Sequence, residues 1–242
     1  MSFFLSTNDE THMTTLTLPT SNKILLQSLS PFVKGLTIHG LHTKAKFHAS
    51  SVMRFTEFKQ ENQITMKIIE QLIKNLTNQL HYLSKEYNHT FYRINPKDII
   101  VIDFSQFLYV SLDDLMPITT TNTTTNTTTN TTTNTTTNTT TNTTNNPTNN
   151  TINEIIFTVP FCKDYYISPE LKEITSLPST INAKTIYYSL GLFIIDLLYS
   201  FFYIKERKNP KTIPPQIKYT KLYWFLHKAT MSNPKERHLL FV

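Results

Sequence analysis

The stretch Phe91-Tyr92-Arg93-Ile94-Asn95-Pro96-Lys97-Asp98-Ile99-Ile100-Val101 is the point from which the fold reads outward. Its last residues begin a short apolar run, Ile99-Ile100-Val101-Ile102. A second run, Phe107-Leu108-Tyr109-Val110, follows after Asp103-Phe104-Ser105-Gln106. Both runs are too short for helices and rich in β-branched or aromatic residues, so the pair predicts a β-hairpin. Upstream the period changes. Ile69, Leu72, Ile73, Leu76, Leu80, Leu83 and Tyr87 recur at three and four residues, with Lys, Asn and Gln between them. That spacing predicts an amphipathic helix over Ile68 to Tyr87, with its polar residues on the face away from the core.

Before this helix the signals are shorter. Thr14 to Leu18 alternates, Pro19-Thr20-Ser21-Asn22 reads as a turn, and Lys23 to Leu26 as a second strand, with Leu36-Thr37-Ile38 as a third. Residues 1–50 therefore read as a small β element. After the hairpin, Thr119 to Thr151 is almost entirely Thr and Asn, with Asn122, Asn126, Asn130, Asn134, Asn138 and Asn142 in a four-residue register. So polar a segment buries too little surface to offset the entropy of ordering, and disorder is expected across it. Beyond it, Tyr187 to Ile204 is strongly apolar, and a last helix is expected over roughly Tyr219 to Met231.

Composition narrows the chemistry. The chain has 242 residues, 39% of them apolar, enough for one modest core. Its net charge is +6, but the basic residues are scattered. The looser groups Lys44, Lys46, His48 and Lys205, Arg207, Lys208, Lys211 read as solvated surface rather than a nucleic-acid or membrane patch. Cys162 is alone, which excludes an internal disulfide and a cysteine-built zinc site. Three glycines, Gly35, Gly40 and Gly191, cannot write a phosphate-binding glycine loop. The first residues, Met1-Ser2-Phe3-Phe4-Leu5, lack the basic flank and apolar length of a signal peptide. A cytoplasmic setting is the expectation.

In their order these pieces resemble the C-terminal lobe of the protein-kinase superfamily, from about Phe55 to Val242. Phe91 to Val101 stands where the family writes HRDLKPENILV. Ile167-Ser168-Pro169-Glu170-Leu171 resembles the APE motif that closes the activation segment. Tyr188-Ser189-Leu190-Gly191-Leu192 resembles the WSLGV opening the central helix, and Asn233-Pro234-Lys235-Glu236-Arg237 the DPxxR near the lobe's end. The pattern is also similar to degenerate kinase-like proteins of large DNA viruses, which implies a host cytoplasm. The resemblance implies a mainly α fold: a helical kinase-like lobe over 51–242 with a short β-hairpin, behind a truncated N-terminal β element over 1–50. The Thr/Asn insertion at 119–151 then falls in the activation segment, a surface loop where added length costs little closure entropy.

The departures from the family carry the functional reading. Kinase chemistry needs a carboxylate base, metal-binding Asn and Asp, and a Lys–Glu pair on the phosphates. Arg93 occupies the position of the base, and a guanidinium stays protonated, so it cannot accept the substrate proton. Asp98 replaces the metal-binding Asn, and Asp113 is the best candidate for the metal-binding Asp within Ser111-Leu112-Asp113-Asp114. Ile186 replaces the acid that braces the catalytic loop. None of Lys23, Lys34, Lys44 or Lys46 lies in a strand that resembles the family's phosphate-lysine site. Glu170 and Arg237 stand at the family's structural ion pair. The expectation is a pseudokinase: a protein-interaction module with a protein partner, no nucleic acid or membrane, no catalytic residue and no cofactor.

Two other readings remain from sequence. A single-pass membrane protein would span the bilayer at 187–204 with a Thr/Asn stalk, although Asp196 mid-span would cost about 2.5–3.5 kcal/mol. A divergent active Ser/Thr protein kinase would use Mg²⁺ and ATP.

Overall fold

Alternation at the N-terminus becomes sheet. In the computed structural model, which describes residues 3–8, 10–125, 148–163, 166–204 and 211–239, β1 (Phe4–Asn8) pairs antiparallel with β2 (Met13–Thr17). Thr14 and Leu16 of β2 face inward. The expected strand at Lys23 to Leu26 is instead a short helix, α1 (Lys23–Gln27). Asn22 starts it: its side-chain oxygen accepts from the Leu25 N–H at 2.8 Å, an N-cap rather than a turn residue. Strands β3 (Lys34–His39) and β4 (Lys44–His48) complete a four-stranded sheet of order β1-β2-β4-β3.

Two polar clamps fasten this element to the rest. The Ser50 and Ser51 N–H groups both donate to Asp103 Oδ1, at 2.7 and 2.9 Å. Arg54 donates to the Lys97 and Phe3 carbonyls, at 2.9 and 2.8 Å, and lies over the Phe3 ring. Arg54 ends β5 (Val52–Arg54), which leads into α2 (Phe55–Glu61). Leu16, Leu25 and Phe47 share one buried cluster with Leu72, Ile100 and Phe193, so the core is continuous across the described residues.

The long helix is α3 (Met66–Tyr87), capped by Thr65 and ended by Asn88 in the left-handed region. Ile69, Leu72, Ile73, Leu76, Leu80 and Leu83 are buried, on the spacing that predicted them. Asn75 and Gln79, expected on the solvent face, are buried too. The reason lies in β7 (Ile99–Ile102) and β8 (Gln106–Tyr109), the expected hairpin, whose sheet order is β5-β7-β8. The outer edge of β8 offers unpaired backbone groups, and α3 covers them. Gln79 both accepts from Tyr109 N–H and donates to Tyr109 C=O at 2.8 Å, and Asn75 accepts from Phe107 N–H at 3.1 Å. A helix amide thus does the work of a missing strand.

Past the hairpin, β6 (His89–Phe91) pairs with β9 (Leu115–Pro117), closing the loop that holds Arg93. The edges of the Thr/Asn tract are strands, where disorder is expected across 119–151. β10 (Thr119–Thr125) pairs antiparallel with β11 (Thr148–Phe157), and β11 pairs with β12 (Ser179–Asn182). β-branched Thr suits an extended backbone, β11 completes the ladder, and its far end buries Ile155 and Phe157 beside Ile181 of β12. The rest of the tract lies outside the described residues.

The fold is therefore mixed α/β, not mainly α: twelve strands in four sheets stand beside six α-helices among the described residues. The strands beyond the sequence expectation are β1, β4, β5, β6, β9, β10, β11 and β12, of which β4 carries a period-2 alternation in Lys44 to His48. α4 (Pro169–Glu173) is short, and α5 (Thr185–Phe201) is buried along nearly its whole length. Its apolar residues meet protein: Phe193 packs on Phe55 and Tyr166, and α6 (Lys221–Ala229) lies across it. Asp196 accepts from the Tyr166 hydroxyl at 2.9 Å. Among the described residues no helix is long and apolar enough to cross a membrane, against the alternative reading of a span at 187–204.

Candidate functional site

The loop from Tyr92 to Asp98 is held between β6 and a short helical turn, Pro96–Asp98, that Asn95 caps. Arg93 points inward. Its Nε donates to Asp114 Oδ1 at 2.6 Å, with side chains 9% and 0% exposed. The second carboxylate oxygen of Asp114 accepts from Ser111 Oγ at 2.8 Å and from the Tyr109 hydroxyl. Tyr109 in turn accepts from the Asn95 N–H at 3.0 Å, and its ring stands edge-on to Phe91. The Asp114 carbonyl also accepts from the Tyr92 N–H at 3.0 Å. A guanidinium, a phenol and a serine hydroxyl thus converge on one buried carboxylate.

This arrangement has electrostatic consequences for its phenols. Burial, reinforced by the nearby Asp114 charge, holds both Tyr92 and Tyr109 well above the ordinary tyrosine range. Both stay neutral at working pH, and Tyr109 keeps the proton it donates to Asp114. Three side-chain donors take most of the carboxylate's acceptor capacity.

The other sequence candidates are distributed differently. Asp98 is buried within its turn, and its carbonyl accepts from the Val110 N–H at 2.8 Å. Asp113 is exposed, one residue from the buried Asp114 that sequence reasoning passed over. Arg93, flanked by Phe91, Tyr92 and Ile94, signals a buried acid nearby but does not distinguish Asp114 from Asp113. Among the described residues no group of three or more His, Cys, Asp or Glu side chains is placed to hold a metal.

The loop has a brace after all. Ile186 carries no acid, but Ser189 Oγ, one turn further along α5, accepts from the buried Ile94 N–H at 2.7 Å. Ser189 was singled out in sequence only as part of a motif.

Glu170 and Arg237 are brought together. Arg237 Nη1 and Nη2 donate to the two Glu170 oxygens at 2.5 and 2.8 Å, a bidentate pair. Its remaining donors reach the Met231, Ser232 and Lys184 carbonyls at 2.7, 3.0 and 3.4 Å, and Arg237 is fully buried. Burial, then the Arg237 charge, lowers the pKa of Lys184. Ser168, just before α4, is hydrogen-bonded to Thr185 at 2.6 Å. Two ties therefore fix the Ser168-Pro169-Glu170 segment to the start of α5 and to Arg237, just after the helical turn Pro234–Glu236.

No protein-family profile matches this chain, and no curated protein matches it. Among solved structures it is similar to titin kinase and its flanking domains, at 13% identity and a TM-score of 0.48. The match covers 93% of this chain, which spans 40% of the titin kinase chain. A likeness of this size carries no argument about fold or chemistry.

Proposed function

We propose that the chain is a catalytically silent, kinase-like protein-interaction module, a pseudokinase. The observation that carries this reading is Arg93. At the position where the resemblance requires a proton-accepting carboxylate stands a permanent cation, and that cation is sealed onto Asp114. A general base must be unprotonated and within reach of the proton it takes. Arg93 is neither. Asp114, the buried acid near the expected metal position, is held by Arg93, Tyr109 and Ser111 and faces no open coordination sphere.

What the chain retains is scaffold. The Glu170–Arg237 fork, the Ser168–Thr185 tie and the Ser189 brace hold the elements that position an activation segment in an active relative. A lobe that keeps its architecture and lacks its chemistry is suited to present surfaces to a protein partner. It needs no cofactor for that role, and the cytoplasm is the setting that its lone Cys162 fits.

Incubation of the purified chain with γ-labelled ATP, Mg²⁺ and a general acceptor protein tests the reading. No incorporation above a no-enzyme control is expected. Incorporation that disappears when Arg93 is replaced would overturn it.

A further inference from the structure

From Lys211 to Lys235 the chain carries five lysines and not one Asp or Glu. α6 crosses the middle of this stretch. It buries Leu222, Phe225, Leu226 and Ala229 toward α5 and turns Lys221, Trp224, His227 and Lys228 outward. Trp224 lies three residues from Lys221 and four from Lys228, so both ammonium groups flank the indole on one helix face. Neither lysine has an acidic partner within 4.0 Å among the described residues. The indole is 54% exposed, edge-on to Tyr223 at 5.4 Å and to His227 at 6.0 Å.

A second observation sits just before the helix. Tyr219 is 79% exposed and has φ 67°, a left-handed backbone that a bulky residue rarely adopts. That conformation costs on the order of 1 kcal/mol or more and turns the ring to solvent with Lys218 Nζ 4.9 Å from its centroid. Strain spent on exposing an aromatic ring, beside the chain's single tryptophan, marks a contact surface.

We infer that the outer face of α6, centred on Trp224 between Lys221 and Lys228, docks an acidic segment of a partner protein. This rests on the interaction-module reading and names the partner's chemistry. Tryptophan and tyrosine dominate the energetics of protein interfaces, and uncompensated lysines around them select carboxylates. A membrane fits less well, because the apolar face of α6 is already spent on α5 and leaves little to insert. A nucleic acid fits less well, because Tyr223 and Trp224 meet at 86° and offer no parallel faces to hold a base.

The single tryptophan makes the test site-specific. The full chain is titrated with a short synthetic peptide rich in Glu and Asp, carrying two leucines and no tryptophan, while Trp224 emission is followed. A saturable blue shift is expected, weakening at least about tenfold as salt is raised through the range in which exposed charges are screened. The Lys221→Glu/Lys228→Glu variant, unchanged in melting temperature, is expected to lose binding by about tenfold or more. No shift at millimolar peptide, or an undiminished shift in the charge-reversed variant, would overturn the proposal. So would tighter binding to phosphatidylserine vesicles or to an oligothymidylate than to the peptide. The phosphotransfer assay is independent: incorporation there refutes the catalytic reading and leaves this titration standing.

Discussion

Replacing Arg237 with alanine should be the most damaging single change outside the apolar core. The side chain is fully buried and uses both Nη atoms on Glu170 and Nε on the Met231 carbonyl, with further bonds to Ser232 and Lys184. Removal strands a Glu170 carboxylate whose side chain is only 17% exposed and takes their donor from the Met231 and Ser232 carbonyls, while the Lys184 carbonyl keeps the Tyr187 N–H. Breaking one partner of such a pair costs roughly 3–5 kcal/mol. At about 2–4 °C per kcal/mol for a chain of this size, the melting temperature should fall by about 6–20 °C. Arg237→Lys should recover little of this, since an ammonium cannot reproduce the planar fork. Thermal unfolding followed by far-UV circular dichroism, with a Glu170→Gln/Arg237→Lys cycle, measures it. A loss under about 1 kcal/mol for Arg237→Ala, or purely additive effects in the cycle, would refute the reasoning.

Three further outcomes follow from the same contacts. Gly191→Ala places a Cβ 2.6 Å from Thr230 Cγ2 where α5 meets α6. Overpacking of about 1–3 kcal/mol should outweigh a helix-propensity gain of about 1 kcal/mol, and adding Thr230→Ser, which removes that methyl, should restore stability in urea titrations. Ser189→Ala leaves the buried Ile94 N–H without its acceptor and should cost about 1–3 kcal/mol by the same titration. Tyr92, Tyr109 and Tyr187 are all raised above the ordinary tyrosine range, chiefly by burial. Above pH about 10 the unfolded chain therefore loses protons that the native chain keeps, so this stabilising term is intact below that pH and is lost as pH rises further. Absorbance titration near 295 nm should show these phenols ionising late, and Tyr109→Phe should flatten the alkaline fall in stability.

Much of the helical framework was legible because long periodic segments announce the face they bury. α3 is marked by its stripe from Ile69 to Leu83, and α5 by an apolar run too continuous for a surface helix. Short elements were less legible. Lys23 to Leu26 is compatible with strand or helix, and only the Asn22 side chain bonding to the Leu25 N–H decides for helix. Asn75 and Gln79 read as surface because composition does not reveal that β8 presents a bare edge to α3. The Thr/Asn edges read as disordered because the tract has no apolar residues of its own, whereas β10 pairs with a strand whose far end is anchored by buried Ile155 and Phe157. At the site, Arg93 was conspicuous as a cation where the kinase resemblance expects a carboxylate. Its partner was obscure, since Asp113 and Asp114 are adjacent, and only the three-dimensional turn sends one to solvent and the other into the protein.

The proposed function turns on the Arg93–Asp114 cluster, and nucleotide titration addresses it directly. The unfolding midpoint of the intact chain is measured with and without Mg²⁺ and ATP at millimolar concentration. A working site with ligand at a hundred times its dissociation constant would gain about 2.7 kcal/mol, a rise of several degrees. With Asp114 held by Arg93, Tyr109 and Ser111, the expected midpoint is unchanged. A Mg²⁺-dependent rise of several degrees, abolished by Asp114→Asn, would contradict it.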